Sequence, residues 1–384
     1  MVRISSFLIF LPTLILTTLA TPSQPTLTAV PIRFLTWNLR YDSLPNSIPI
    51  NSTLSHLPPH LPLDSSIIPY ASPLELPWST RRLAVAREIS FNRPDIICFQ
   101  EALQRQVTDL QELLPGYEHI GVGRDDGKTK GEYEAIFWRR DRVGLMEGDW
   151  DTFWLSGTPM EPSKFLGAGS VRSATRGRFM VYPASSSGYG GYDDDATEMK
   201  KRSNVTRTDQ GKELTVICTH WDDQSDAQRK LAGSLVRMRG AHELATTGNP
   251  VFVLGDFNSP RQGVDSGGYQ IITGKAEEVK VNETFEYNFG GVKKGWGFLD
   301  LAEETHPVGR SGHAFTFTGF KRQGSMDVSR IDFILGSQVG TNSSEAQAQG
   351  NGWKVERFRV GENWYDQEGM ASDHRPVYAD VLVG

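Results

Sequence analysis

The sequence predicts one α/β domain of layered β-sheets, and three observations carry that expectation. Six short apolar, β-branched runs have strand length: 32–38, 95–101, 214–220, 250–256, 331–335 and 376–382. Helical periodicity lies between them, over 80–92 with Leu83, Val85, Ala86 and Ile89 as apolar members, and over 225–246 with Leu231, Leu235, Val236 and Met238. No change of composition divides the chain into two regimes.

The chain begins with one positive charge at Arg3, an apolar run over 4–20 broken by Pro12, and Thr18-Leu19-Ala20 at its end. These are the three parts of a secretory signal peptide, expected over 1–20. A membrane anchor is the competing reading. The run is shorter than the ~20 residues a spanning helix needs, and no Lys/Arg stop-transfer cluster follows it. The expected product is secreted, extracellular and without a stable membrane anchor. Four Asn-x-Ser/Thr sequons, at Asn51, Asn204, Asn282 and Asn342, agree with a glycosylated secretory product.

The domain is expected over 30–384, with three loop insertions. The first, near 43–77, is Pro-rich and includes Ile67-Ile68-Pro69-Tyr70. The second, near 184–208, carries Asp193-Asp194-Asp195 and Lys200-Lys201-Arg202. The third lies near 341–352. The acidic triplet reads as a solvated loop tip rather than a metal site.

Of the 384 residues 22% are charged, and the net charge is −6. Removing 1–20 takes away one arginine and makes the balance slightly more negative. This excludes a basic packaging arm and argues against a partner that is long nucleic acid, because gripping many phosphates takes an excess of Lys and Arg. Two cysteines exclude a disulfide scaffold. Cys98 and Cys218 each end an apolar run and read as buried free thiols acting as small hydrophobes. A single disulfide is the alternative left open.

The chemistry concentrates where strands end. Asn38, Glu101, His220 and Asp256 stand at or just past the C-terminal edges of four predicted strands. Asn258 follows two residues after Asp256, Asp332 lies in a fifth strand, and Ser372-Asp373-His374 precedes the last. A polar residue at one strand end is ordinary. Oxygen donors, two histidines and supporting Asp and Asn residues in one register are not, because rims of rigid sheets are where sites are assembled. Hard oxygen ligands suit Mg²⁺ or Mn²⁺. A metal beside a phosphoryl group stabilises developing charge, and an Asp next to an Asn can orient a water for in-line attack. The set reads as metal-assisted phosphoester hydrolysis. No G-x-S-x-G is present, which disfavours a serine hydrolase.

The ordered motifs Thr36-Trp37-Asn38, Gln100-Glu101, Thr219-His220, Gly255-Asp256-Phe257-Asn258, Ile331-Asp332 and Ser372-Asp373-His374 resemble the endonuclease/exonuclease/phosphatase superfamily. That group includes DNase I, exonuclease III-type enzymes, inositol polyphosphate 5-phosphatases, neutral sphingomyelinases and deadenylases. The resemblance spans about 32–382. Asn38-Leu39-Arg40-Tyr41-Asp42, Trp78-Ser79-Thr80-Arg81-Arg82, Gly121-Val122-Gly123-Arg124-Asp125-Asp126-Gly127, Gly131-Glu132-Tyr133, 172–179 and Thr316-Phe317-Thr318-Gly319-Phe320 look like a secreted or bacterial-type metal-dependent hydrolase branch.

The resemblance implies a four-layered αββα sandwich, two mixed sheets flanked by helices. It implies Glu101 as principal metal ligand with Asn38 beside it, and Asp373 as a further ligand. Asp256 would orient or deprotonate the water, with Asn258 holding water and phosphate. His220 and His374 would contact phosphoryl oxygens, and Asp332 would support His374. Arg40, Arg81 and Arg178 are candidates for outer phosphate contacts, because a guanidinium matches phosphate bidentately. Glu132 could face the substrate or serve structure. The branch pattern is broken at Cys218, where Asn is usual, at Asp223, where His is frequent, and at Arg176, where Trp is frequent.

The expected activity is a secreted Mg²⁺- or Mn²⁺-dependent phosphodiesterase or phosphatase, acting as a monomer. Its partner is a phosphate ester of a small molecule, a lipid headgroup or nucleic acid. A 3′-to-5′ RNA exonuclease of deadenylase type, an extracellular DNase and an inert secreted interaction protein on the same fold are the alternatives.

Overall fold

The computed structural model describes residues 29–55, 75–184, 211–321, 328–338, 352–365 and 369–384. The segment 1–28, the Asp193–Asp195 triplet, Ile67–Tyr70, Asn204 and Asn342 lie outside the described residues, as does most of each expected insertion.

Two large sheets form the centre. The first runs in the order β10 (Arg310–Gly312), β12 (Trp353–Val360), β15 (Val377–Val383), β1 (Val30–Asn38), β2 (Ile96–Leu103), β4 (Glu132–Arg139) and β3 (Tyr117–Ile120). The second runs β5 (Val143–Trp154), β6 (Ser173–Val181), β7 (Lys212–His220), β8 (Val251–Asp256), β11 (Asp332–Ser337) and β9 (Phe298–Asp300). A small ribbon pairs β13 (Trp364–Tyr365) with β14 (Gly369–Met370). All six predicted strands are present within a residue or two at most ends.

Side-chain alternation at period two sorts each strand into an inner and an outer face. The inner residues of both sheets, Phe34, Ile96, Cys98, Ile136, Val216, Cys218, Phe252, Leu254 and Ile334 among them, share one buried core. On the outer face of the first sheet, Leu35, Trp37, Ile97 and Phe99 pack on α2 (Trp78–Asn92) and α3 (Gln104–Leu113). A short α1 (Ile50–Ser55) precedes them. On the outer face of the second sheet, Ile217, Val251, Val253 and Phe333 pack on α4 (Asp226–Thr247), α5 (Gly267–Ile272) and α6 (Glu283–Phe289). The result is the four-layered αββα sandwich.

Local sequence explains the helix ends. At α4 the Ser225 side chain accepts from the Gln228 amide at the start, and Gly248 takes the left-handed conformation (φ 71°) at the end. At α2 the chain leaves through Arg93, also left-handed, directly before Pro94.

Three of the longer strands that periodicity did not reveal are interrupted by charges or by irregular pairing. β4 carries Glu132 and Glu134 inward, and β6 carries Arg176 and Arg178 on its outer face. β5 is interrupted by a register shift between Leu145 and Trp150. Each feature breaks an otherwise apolar run.

The expectation of free thiols is corrected. Cys98 on β2 and Cys218 on β7 form a disulfide, with Cα atoms 5.5 Å apart. Both point inward from facing sheets, and the two-sheet packing brings together residues 120 positions apart.

Candidate phosphoester-hydrolase site

Strand register assembles the site. β7 runs parallel to β8 with His220 opposite Asp256, and β11 runs antiparallel to β8 with Asp332 opposite Asp256. In the other sheet β1 runs parallel to β2 with Asn38 opposite Gln100. Asn38, His220, Asp256 and Asp332 are each the inward position beyond Thr36, Cys218, Leu254 and Ile334 respectively. The site is thus the polar edge of the inter-sheet core. Glu101 joins through a β-bulge, where the β2–β4 register shifts between Phe99 and Ala102 and Glu101 takes φ 60°.

Arg40, Asn258 and Phe320 are also left-handed non-glycine residues at this rim, with φ 57°, 45° and 50°. Such conformations cost on the order of 1–3 kcal/mol each and cluster where geometry serves function.

Asn38 links the two sheets. Its Nδ2 donates to Glu101 Oε1 at 2.9 Å and to Asp256 Oδ2 at 3.0 Å, and its Oδ1 accepts from the Arg40 amide. The Tyr41 amide donates to Glu101 Oε2 at 3.2 Å. Burial works to raise the Glu101 pKa. The Asn38 hydrogen bond, the His374 charge, the Tyr41 amide and Arg40 outweigh it and keep the carboxylate below its ordinary value.

Asp256 Oδ2 lies 3.6 Å from Nε2 of His220 and 3.6 Å from Nε2 of His374. Its Oδ1 accepts from the Asn258 amide at 2.9 Å. Burial, with the nearby Asp332 carboxylate adding to it, pushes the Asp256 pKa up to about 7. Asn258 Nδ2 lies 3.2 Å from His220 Nε2 and donates to the Trp221 carbonyl.

The two histidines have opposite surroundings. His374 Nδ1 bonds Asp332 Oδ2 at 2.9 Å, and its ring packs beside Phe317. Burial alone would lower its pKa, but Asp332 and Asp256 hold it protonated well above the ordinary range. The ring nitrogens of His220 instead lie 2.9 Å from the Arg172 guanidinium. Burial, then Arg172 and Arg124, drive its pKa well below the ordinary value, so it is neutral.

The oxygen and nitrogen atoms of Asp256, Asp332 and His374 approach one another within 4.8 Å, the spacing of a metal-ligating group. The buried Asp332 Oδ1 accepts no hydrogen bond, which leaves a hard oxygen donor free for a cation. This set differs from the one the sequence suggested. Glu101 shares the Asn38 Nδ2 donor with Asp256 and belongs to the same rim without being one of those three. Asp373 is partly buried. Its backbone carbonyl accepts from Thr318, and burial with the Glu101 charge raises its carboxyl pKa.

The three candidate arginines part company. Arg40 stands at the rim, its Nη1 4.0 Å from Glu101 Oε2 and its guanidinium over the Tyr41 ring. Arg81 is fully buried and donates to the carbonyls of Leu39, Arg40, Leu76 and Ala371. It braces the turn after Asn38 against the Ala371 segment and presents nothing to a phosphate. Arg178 lies on the outer face of β6, bonded to Glu243 of α4 and to Asp149. Strand alternation aims it away from the site, so both are corrected.

Arg124 and Arg172 fall in stretches that resemble the hydrolase branch, but the sequence alone assigns neither a role at the site. Arg172 also bonds Asp223 at 2.8 Å and approaches Asp222, and Arg124 is paired with Glu132 at 2.6 Å. Glu132 Oε2 is 3.9 Å from His220 Nδ1, and burial pushes its pKa up to about 7. The signal was available, since both arginines fall in stretches of Gly and Ser between predicted strands that approach the same rim.

An αββα sandwich with carboxylates, amides and two histidines meeting across its rim is the architecture of a phosphoester-hydrolase fold. The chain belongs to the Endonuclease/Exonuclease/phosphatase family, whose sequence profile matches residues 35–374. Members of the family are phosphoester hydrolases that use divalent metals. Among solved structures, the chain is similar to the endonuclease/exonuclease/phosphatase from Bacteroides vulgatus, at 25% identity over 92% of this chain and 100% of that one, with a TM-score of 0.61. It is similar in fold to the mannosyl-6-phosphatase Bt3783 of Bacteroides thetaiotaomicron, at 24% identity over 91% and 99%, TM-score 0.58. The human Nocturnin catalytic domain shares the fold at 14% identity over 92% and 95%, TM-score 0.51. None of the curated proteins matches the chain in sequence.

Proposed function

We propose that this protein is a secreted, Mg²⁺- or Mn²⁺-dependent hydrolase of a small or lipid-linked phosphate ester. The observation that carries the reading is Asp256 held midway between a neutral and a protonated histidine, inside a group with metal-ligand spacing.

Glu101 and Asn38, with Asp256 and the unpartnered Asp332 Oδ1 beside them, would hold the divalent ion, while the protonated His374 has no lone pair to offer it. Bound there, it supplies charge neutralisation at the phosphoryl oxygens. Asp256 orients the attacking water and takes its proton. Asn258 fixes Asp256 Oδ1 through its amide and places its side-chain Nδ2 beside His220. His374, kept charged by Asp332, donates to a phosphoryl oxygen as negative charge develops. Water adds to phosphorus in line, the P–O bond to the alcohol breaks, and the alkoxide takes a proton from solvent, balanced when Asp256 releases the proton it took from the water.

The negative net charge favours small or lipid-linked esters over long nucleic acid. The rim cation Arg172 is already paired with Asp223. Secretion is supported by the N-terminal pattern and by the Cys98–Cys218 disulfide, a bond that persists in oxidising compartments. Asn51 is exposed and able to carry a glycan. Among the described residues no helix is long and apolar enough to cross a membrane.

The test is a panel of RNA, DNA, sphingomyelin, inositol phosphates, nucleotides and sugar phosphates with Mg²⁺ or Mn²⁺. Turnover of a small or lipid-linked ester supports the proposal. Selective cleavage of RNA or DNA moves it to a nuclease, and no turnover with metal bound moves it to an inert interaction protein.

A further inference from the structure

The site straddles two sheets. β2, which carries Glu101, belongs to one, and β7, which carries His220, belongs to the other, so no backbone ladder joins them. Away from the rim the sheets cohere through apolar side chains such as Phe34, Ile96, Val216 and Phe252. At the rim the facing groups are Asn38, Glu101, Glu134, His220, Asp256 and Asp332, and two of the carboxylates repel each other across adjacent strands. Hydrophobic cohesion therefore stops one residue pair short of the chemistry.

The Cys98–Cys218 disulfide sits at that boundary. It is fully buried. Counting along either strand at period two, the next inward residues are Gln100 and His220. Gln100 Nε2 donates to the Cys98 carbonyl and to Thr36 Oγ1, and Thr36 lies on β1 two residues before Asn38. A covalent bond between facing sheets, directly beneath a site that both sheets supply, fixes their separation where hydrophobic packing no longer does.

We propose that Cys98 and Cys218 are positioning residues for the reaction, their bridge setting the separation between the Glu101–Asn38 side of the metal site and the His220–Asp256 side. This rests on the hydrolase reading above. The effect is on metal binding and on the chemical step, not on capture of the substrate.

The experiment compares wild type with C98A/C218A and with the volume-restoring C98A/C218V, well below their unfolding temperatures. Mn²⁺ affinity is read by calorimetry without substrate. The kcat and KM are read with p-nitrophenyl phosphate and bis(p-nitrophenyl) phosphate. The expected result is a loss of about tenfold or more in both Mn²⁺ affinity and kcat, with KM within about threefold, the scale seen when groups supporting metal ligands are removed. Folded variants with Mn²⁺ affinity and kcat within twofold of wild type overturn the proposal. So does a chain that folds only with the bridge, because its role is then structural alone. If wild type binds Mn²⁺ but cleaves neither these esters nor any member of the panel above, the hydrolase reading fails and the bridge is judged on Mn²⁺ affinity. If wild type binds no Mn²⁺, both are overturned.

Discussion

His220 and His374 stand at the same distance from the same oxygen of Asp256, yet only His374 carries a charge. The His374 half of the rim is acidic, with Asp332 at 2.9 Å and Asp373 next in sequence. The His220 half is basic, with Arg172 at 2.9 Å and Arg124 nearby. Burial disfavours the charged form of both rings. Two unit charges about 4 Å apart interact by about 4 kcal/mol at the effective dielectric of a protein, enough to reverse that penalty on the acidic side and to deepen it on the basic side. In the proposed reaction one residue type therefore fills two roles: a proton-bearing cation toward the phosphoryl oxygens, and a neutral ring beside Asp256 and Asn258.

The largest way to break this comparison is at the acidic half. His374→Ala should lower kcat by about a thousandfold or more with the fold retained by circular dichroism, because it removes the cation that meets the developing charge. His220→Ala should cost less, about a hundredfold, because a neutral ring contributes hydrogen bonding without a charge. Equal losses at both positions would erase the distinction.

Stability tests the same rim from below. Loss of the Cys98–Cys218 bridge releases a loop of 120 residues in the unfolded chain. The double Ala variant should lose roughly 3–5 kcal/mol, read from urea unfolding.

Titration sharpens the comparison. Asp332→Asn withdraws the carboxylate that raises the His374 pKa. His374 then loses its proton at lower pH, and the alkaline limb of the kcat profile moves to lower pH. Arg172→Gln withdraws a charge that lowers the His220 pKa. The His220 ring, followed by NMR, should then protonate at a higher pH than in wild type.

The smallest effect is expected at Glu134, a fully buried carboxyl that accepts from Ser173 and has a second oxygen without a partner. Burial pushes its pKa up to about 7. Between its unfolded value and about 7 the folded state holds a proton that the unfolded chain releases, so raising the pH through this window destabilises the fold. Glu134→Gln removes that cost. It should be more stable than wild type at pH 8, by on the order of 1–2 kcal/mol, and closer to wild type at pH 5. Urea unfolding at the two pH values reads the difference.

Much of this arrangement was legible in the sequence. Strands that are apolar to their last inward residue announce both the strand and the site, which is why Asn38, His220 and Asp256 stood out together. β4 and β6 were hidden because Glu134 and Arg176 are buried charges whose partners, Ser173 and Glu243, are distant in sequence. Arg81 and Arg178 were misplaced for a related reason. A guanidinium that suits phosphate suits backbone carbonyls and carboxylates equally, and only the facing of the strand or helix decides which it meets. The disulfide was the open alternative at two cysteines, and the packing of β2 against β7 decided it.

The most direct test of the account is hydrolysis by wild type and Asp256→Asn measured side by side, after metal is stripped with a chelator and after Mg²⁺ or Mn²⁺ is restored. Wild-type turnover should fall to background without metal and return with it, while Asp256→Asn stays at least about a thousandfold lower with metal present. Turnover that survives complete metal removal, or an Asp256→Asn variant as fast as wild type, would contradict the account.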